Sequence, residues 1–324
     1  MPDILGTILW PIRWVIELIL VGAHQGLTYL GLDPAGGPAW VLSITVLVLI
    51  VRAALIPVFV RQIKSQRKML EVAPQLKKIQ DKYKGKRDQF SREAMSRETM
   101  ALYSKEGANP LSSCLPLLLQ MPIFFGLYTV LNTAAGSQGN DPRAGVGLMN
   151  LELSQQFAAS EIFGAPLHAS FSGVLGGGGP WEVLVLAPIM VVLMTASQFI
   201  TQLQIVSKNM SPEAKASPMF RQQRILLYIL PLVFAVSGVA FPLGVMFYWL
   251  VSNAWTMGQQ FIVIRNMPTP GSEAALAREA RIARRNQRKG ISIVEDAPEV
   301  VEEQKPTQRV QPVNNKNRNK RKKK

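Results

Sequence analysis

Residues 40–60 read WVLSITVLVLIVRAALIPVFV. About twenty apolar residues are needed to cross the hydrocarbon of a bilayer, and this stretch has that length. Within its second part, residues 46–60, thirteen of fifteen side chains are apolar, one is Pro57, and the last is Arg52. A guanidinium stays charged at any pH a cell reaches. The stretch therefore reads as a membrane span holding one charge that has to be satisfied inside it.

Composition agrees with a membrane protein. The chain has 324 residues, 48% hydrophobic and only 18% charged, with a positive mean hydropathy. That balance suits a polytopic membrane protein better than a soluble domain. The formal net charge of +15 must then sit in loops and tails. A single cysteine, Cys114, rules out a disulfide framework, and two histidines, His24 and His168, rule out a His-rich metal site. Neither a cleavable secretory signal nor an organellar presequence is evident, and the chain is expected to enter the membrane through its own spans.

Charge-free runs locate those spans. From Asp33 to Arg61 the only charge is Arg52. Nothing is charged between Glu106 and Asp141, where Asn109-Pro110 opens a second span, or between Glu182 and Lys208, which holds a third. The forty uncharged residues between Arg224 and Arg265 would make a helix of roughly 60 Å, twice the bilayer core. Gly238, Pro242 and Gly244 break that run into a fourth and a fifth span. Orientation follows from the basic residues: 33 of 36 Lys and Arg fall on one side of this five-span layout, and the positive-inside rule makes that side cytoplasmic.

The expected layout is an N-terminal amphipathic, interfacial helix region over 1–39, a first span over 40–60 and a cytosolic helical hairpin over 61–106. A second span follows over 107–132, an extracytoplasmic loop over 133–180 and a third span over 181–203. A cytosolic loop over 204–224 leads to spans four and five over 225–264, and a disordered basic cytosolic tail fills 265–324. In the N-terminal stretch Arg13 and Glu17 stand four apart, able to pair on one face of a helix lying at the interface. A sixth span is the competing arrangement. The glycine-rich 133–180 loop, with its run Gly176–Gly179, is expected to be a flexible connection; no Lys-Ser/Thr follows the run, which excludes a phosphate-binding loop.

Two cytosolic features invite partners. On the hairpin, Met69, Leu76, Ile79 and Tyr83 form a narrow apolar stripe on a charged helix, and Met95 and Met100 follow on the second helix. The stripe serves either the hairpin itself or an adaptable docking surface. The tail ends in NNKNRNKRKKK, so that Lys316, Arg318, Lys320, Arg321, Lys322, Lys323 and Lys324 offer a basic end for ribosomal RNA or anionic lipid, or one that enforces cytoplasmic retention.

Arg52 lies nine residues from Arg61, roughly 13 Å along a helix from the cytoplasmic end. Snorkelling covers part of that distance. The other spans carry no carboxylate, but they carry Gln120, Thr129, Thr195, Ser197, Gln198, Gln202, Tyr248, Ser252 and Asn253. With Arg52 these would line a wet cavity open to the cytoplasm; a structural arginine bonded to neighbouring helices is the plainer reading. A solute transporter would show internal repeats, and none is visible. An intramembrane enzyme would need catalytic sets within the spans, whereas both histidines lie outside them and Cys114 has no base near it in sequence.

The runs IVRAALIPVFVRQIKSQRKM, QLKKIQDKY, ALYSKEGANPLSSCLPLLLQMPIFFGLY and FYWLVSNAWTMGQQ closely resemble the YidC membrane-insertase family, which includes organellar relatives. The resemblance covers residues 8–265. The short form, without a large outer domain, is similar to Gram-positive versions, and the basic tail resembles actinobacterial members; the chain lacks the lipoprotein cysteine of many Firmicute versions. The resemblance implies an all-α polytopic fold whose five-span core surrounds a hydrophilic groove, with a cytosolic helical hairpin and an N-terminal amphipathic helix. It implies that Arg52 is the groove arginine and that Tyr248 and Trp249 border the substrate path. Where some members carry a threonine one turn before the arginine, this chain has Val48. The function implied is nucleotide-independent insertion and folding of integral membrane proteins, with no enzymatic step and no cofactor. Expected partners are nascent or small membrane proteins, the ribosome, the general secretion translocon and the bilayer. The expected location is the bacterial cell membrane, with a cytoplasmic C-terminus.

Overall fold

A computed structural model describes residues 4–86, 88–108, 115–136, 145–210 and 235–289, with isolated positions between 212 and 233. The expected fourth span lies mostly outside the described residues, as do Cys114 and the basic end 290–324. Packing separates Met1–Glu279 from Ala280–Lys324.

The chain is an all-α membrane protein. Among the described residues, four helices are long and apolar enough to cross a bilayer. They belong to α1 (Ile4–Tyr29), α2 (Gly37–Ala54), α5 (Leu115–Ala135) and α8 (Trp181–Lys208). A further helix, α9 (Leu243–Asn266), has 24 residues but is more polar, carrying Tyr248, Ser252, Asn253, Thr256, Gln259 and Gln260. The central packing is α9 against α8 and α2, and α1 against α2 and α5. Ile44, Leu47, Leu127, Leu131, Met190 and Met246 are among the side chains closed into one apolar core.

Helix α2 does not run on unbroken. Pro57 has no N–H to give the carbonyl four residues back, and the ladder breaks at Leu55. A new helix, α3 (Ile56–Lys82), starts there and packs against α4 (Gln89–Glu106) as a hairpin. Asp88 caps α4 by accepting from the Ser91 N–H at 2.8 Å, and Gly107 ends it in the left-handed region at φ 60°. The hairpin has a small core of its own, Val72, Leu76, Tyr103 and Ala108, separate from the main one.

Residues 145–180 differ from the flexible connection expected of a glycine-rich segment. Asn150 caps α6 (Leu151–Ala159) and Ser170 caps α7 (Phe171–Gly177), each accepting from a backbone N–H three residues on. Between them lies a two-stranded hairpin, β1 (Glu161–Ile162) with β2 (Ala165–Pro166), turned by Phe163 and Gly164, both at positive φ. Leu153, Phe157 and Leu167 carry this segment into the main core, which is what orders it. Gly37, at the start of α2, is held so close to β1 that a Cβ there would sit 2.1 Å from the Glu161 carbonyl oxygen.

Helix α1 also departs from expectation. Glu17 is fully buried and does not pair with Arg13. Its carboxylate accepts from the backbone N–H groups of Val146 (2.8 Å), Gly147 (2.7 Å) and Met149 (3.3 Å). Three backbone donors converging on it satisfy a buried carboxylate without an arginine partner. Among the described residues the only ion pair is Lys82–Glu98, on the hairpin.

Candidate functional site

Arg52 sits in the last turn of α2, half-buried, just before the break at Leu55. It donates a short hydrogen bond from Nη2 to the Ser252 hydroxyl on α9, and its guanidinium lies 5.6 Å from the centre of the Phe59 ring on α3. No described carboxylate pairs with it. A serine hydroxyl and an aromatic face satisfy a guanidinium only in part, because five N–H donors are available.

Helix periodicity assembles the rest. Tyr248 and Ser252 are four apart on α9 and share a face. Tyr248 is buried, and its hydroxyl accepts a short hydrogen bond from Gln120 Nε2 on α5. Thr256, a further turn along, donates to the Ser252 carbonyl at 2.8 Å. On the flank of α9, Asn253 donates to the Met194 carbonyl and to Ser197 Oγ on α8, each at 3.3 Å. Three helices thus bring Arg52, Ser252, Tyr248 and Gln120 into one polar run whose only charge is Arg52, with Asn253 and, from α8, Ser197 beside it.

Two expected groove residues are placed differently. Gln198 is half-buried on α8 next to Ser197, one residue round the helix from the Asn253 contact. Trp249 belongs to an aromatic cluster, with its ring 4.9 Å from Phe124 and 5.6 Å from Phe241, centroid to centroid. Phe59 was not expected at the site, although a spacing of seven residues, two helical turns, sets it on the same face as Arg52.

On the hairpin, Leu76 is 9% exposed in the seam between α3 and α4, and Met69 packs against the same core. Ile79 and Tyr83 are half-buried. Tyr83 donates to Glu98 at 2.8 Å, and Lys82 reaches the same carboxylate oxygen at 2.5 Å. Those two bonds, that from Lys82 first, hold the Glu98 carboxyl below the usual range. Among the described residues of the hairpin, the large apolar side chains turned outward are Phe90 and Met100, 87% and 62% exposed. Lys316, Arg318 and Lys320 to Lys324 lie outside the described residues.

Residues 32–270 match the family described as 60Kd inner membrane protein. The chain is 44% identical over 292 residues to the membrane protein insertase YidC of Tropheryma whipplei, covering 88% of this chain and 93% of that protein. It is 44% identical over 272 residues to the Streptomyces avermitilis protein of the same name, covering 82% and 60%. It is 36% identical over 278 residues to that of Bifidobacterium longum, covering 86% and 81%. Arg52, Gln120, Tyr248 and Ser252 all fall within the matched span, and the chain belongs to the YidC membrane-insertase family.

Proposed function

We propose that this protein inserts integral membrane proteins and helps them fold, through a hydrophilic groove open to cytoplasm and lipid, without nucleotide hydrolysis. The relatives named membrane protein insertase support the first part of this reading. The observation that carries the groove is Arg52, a charge among neutral partners: Ser252 bonds it, and no described carboxylate pairs with it.

An acidic N-terminal tail of a substrate supplies the missing carboxylate. At 4 Å such a pair is worth about 1 kcal/mol in bulk water and about 4 kcal/mol at the effective dielectric of a partly dry protein site. Drying the carboxylate offsets part of that gain, so the net preference for an acidic tail is smaller than the Coulomb difference. Gln120, Tyr248, Ser252 and Asn253 lower the cost of bringing polar backbone to that depth by offering hydrogen bonds where hydrocarbon offers none. The substrate's apolar segment then leaves sideways, driven by its own burial in lipid. No covalent step and no cofactor enter this sequence.

The reading sets the hairpin and the basic end, Lys316, Arg318, Lys320, Arg321, Lys322, Lys323 and Lys324, in the cytoplasm. The stripe from Met69 to Tyr83 keeps the hairpin in shape to receive a nascent segment, alone or beside the secretion translocon. The basic end meets ribosomal RNA or anionic headgroups, and loss of ribosome co-sedimentation on deleting residues 314–324 would single out RNA.

The test is complementation of a depleted strain, following a single-span substrate with an acidic N-terminal tail. Arg52→Lys keeps the charge and should retain most insertion; Arg52→Glu should abolish it. Equal insertion by the two variants would remove the electrostatic step. Unchanged insertion on full depletion would remove the insertase reading itself.

A further inference from the structure

The first turns of α3 close off two side chains. Among residues 56–64 only Phe59 and Gln62 are buried, 9% and 6% exposed, while Arg61 and Lys64 beside them lie open. Phe59 follows Arg52 by seven residues and meets its guanidinium; Gln62 follows Phe59 by three, less than one turn further along the same face. Arg52, Phe59 and Gln62 therefore stand in one row across the joint at Leu55.

An apolar residue would fill the place of Gln62 without burying an amide. Gln62 makes no hydrogen bond among the described residues. Its amide is not sealed either, since neither its oxygen nor its nitrogen is among the fully buried polar atoms that lack a partner. The stem is packed and the amide is held at a narrow opening. Packing has already taken the rotamer freedom of this long side chain, so a group that bonds the amide does not have to order it again.

We infer that Gln62 and Phe59 form the hairpin-side mouth of the Arg52 site, where Gln62 hydrogen-bonds the backbone of a substrate's N-terminal tail on its way to the arginine. The chemistry recognised is the peptide group. A glutamine amide donates to a peptide carbonyl and accepts from a peptide N–H, and it asks nothing of the charge or side chains of the tail. Phe59 covers one face of the guanidinium, which leaves the N–H donors along its edge for a carboxylate. Gln62 thus serves any tail, and Arg52 favours acidic ones. The inference rests on the groove reading of the Arg52 site.

The experiment uses the full chain in proteoliposomes and one single-span test protein in two forms. One form has an acidic N-terminal tail; the other has its Asp and Glu changed to Asn and Gln. Insertion is read as protease protection of the tail. Gln62→Leu keeps the packing and removes the amide, so the thermal midpoint should hold or rise. Insertion of both forms should slow by the same factor, roughly two- to tenfold for one hydrogen bond. Arg52→Gln should slow the acidic form alone. In a Cys114→Ser protein, Gln62→Cys should form a disulfide with a cysteine in the tail, and Lys64→Cys should not. Unchanged insertion of both forms in Gln62→Leu, with Arg52→Gln still slowing the acidic one, would overturn the inference and leave the groove reading standing. A loss confined to the acidic form would also overturn it, making Gln62 a positioning residue for the arginine. Slower insertion with a lower thermal midpoint and no cross-link at 62 would reduce Gln62 to packing. An Arg52→Gln protein that slowed neither form would remove the electrostatic step alone, because the equal slowing and the cross-link at 62 are read independently of it.

Discussion

Replacing Glu17 by Gln tests how the 145–149 segment is held to α1. The carboxylate accepts three backbone N–H groups, two on Oε2 and one on Oε1. Glutamine keeps one acceptor oxygen and turns an NH2 group toward the other donor. If the carbonyl stays where Oε2 was, the Val146 N–H loses its acceptor and faces a donor instead. A hydrogen bond to a charged group contributes about 1.5–3 kcal/mol, and a buried donor left without a partner costs about 1–3 kcal/mol. Local opening should therefore become easier by about 2 kcal/mol for Gln, which is roughly thirtyfold in an equilibrium constant. Alanine removes all three acceptor contacts, and about 4 kcal/mol, or close to a thousandfold, is expected. Gly147 leaves the substitution little room to adjust, since a Cβ there would already touch Trp14 at 2.8 Å. Hydrogen exchange read by mass spectrometry on the peptide spanning 145–150, with the protein in nanodiscs, measures the opening directly. The order should be Ala faster than Gln, Gln faster than wild type, with α8 and α9 unchanged. Wild-type exchange in the Glu17→Gln protein would show that the carboxylate does not hold this segment.

Two further outcomes concern the hairpin. Leu76→Ala should destabilise its separate core by about 2–4 kcal/mol, within the range for buried leucines; trypsin should then cut residues 61–106 faster while the thermal midpoint of the membrane core stays put. The Glu98 carboxyl is held below its ordinary value of 4.5 by Lys82 and Tyr83, so its contribution is complete above that value and is lost as the pH falls through the lowered one. Exchange at the Tyr83 end of the seam, corrected for intrinsic rate, should rise on acidification in wild type and lose that dependence in Glu98→Gln.

The all-α membrane architecture was legible because charge is so costly in hydrocarbon that its absence marks the helices. For the same reason, the lack of any carboxylate in the five spans expected from sequence pointed to hydroxyls and amides as neighbours of Arg52. Ser252 was among them. Phe59 was not, because a spacing of seven marks a shared helical face without saying that a guanidinium and a ring meet on it. Glu17 misled the local reading: spacing offers Arg13 four residues away, whereas its donors lie about 130 residues further along the chain. An amphipathic stripe such as Met69 to Tyr83 states that a face needs cover without stating whose. The structure fills that cover in part from the adjacent helix α4. Order in residues 145–180 was hidden for a related reason, since caps such as Asn150 and Ser170 look like ordinary loop residues until the apolar residues between them find the core.

Leu55 is the joint from which the hairpin springs. Helix α3 has 27 residues, about 40 Å of stiff rod, and a bend of about 10° at its base would carry the far tip through about 7 Å. The pivot lies three residues from Arg52, and the same guanidinium grips both arms of the hinge, Ser252 on the bundle side and Phe59 on the rod. Arg52 therefore stands at the root of the hairpin, in contact at once with the bundle and with the base of the rod.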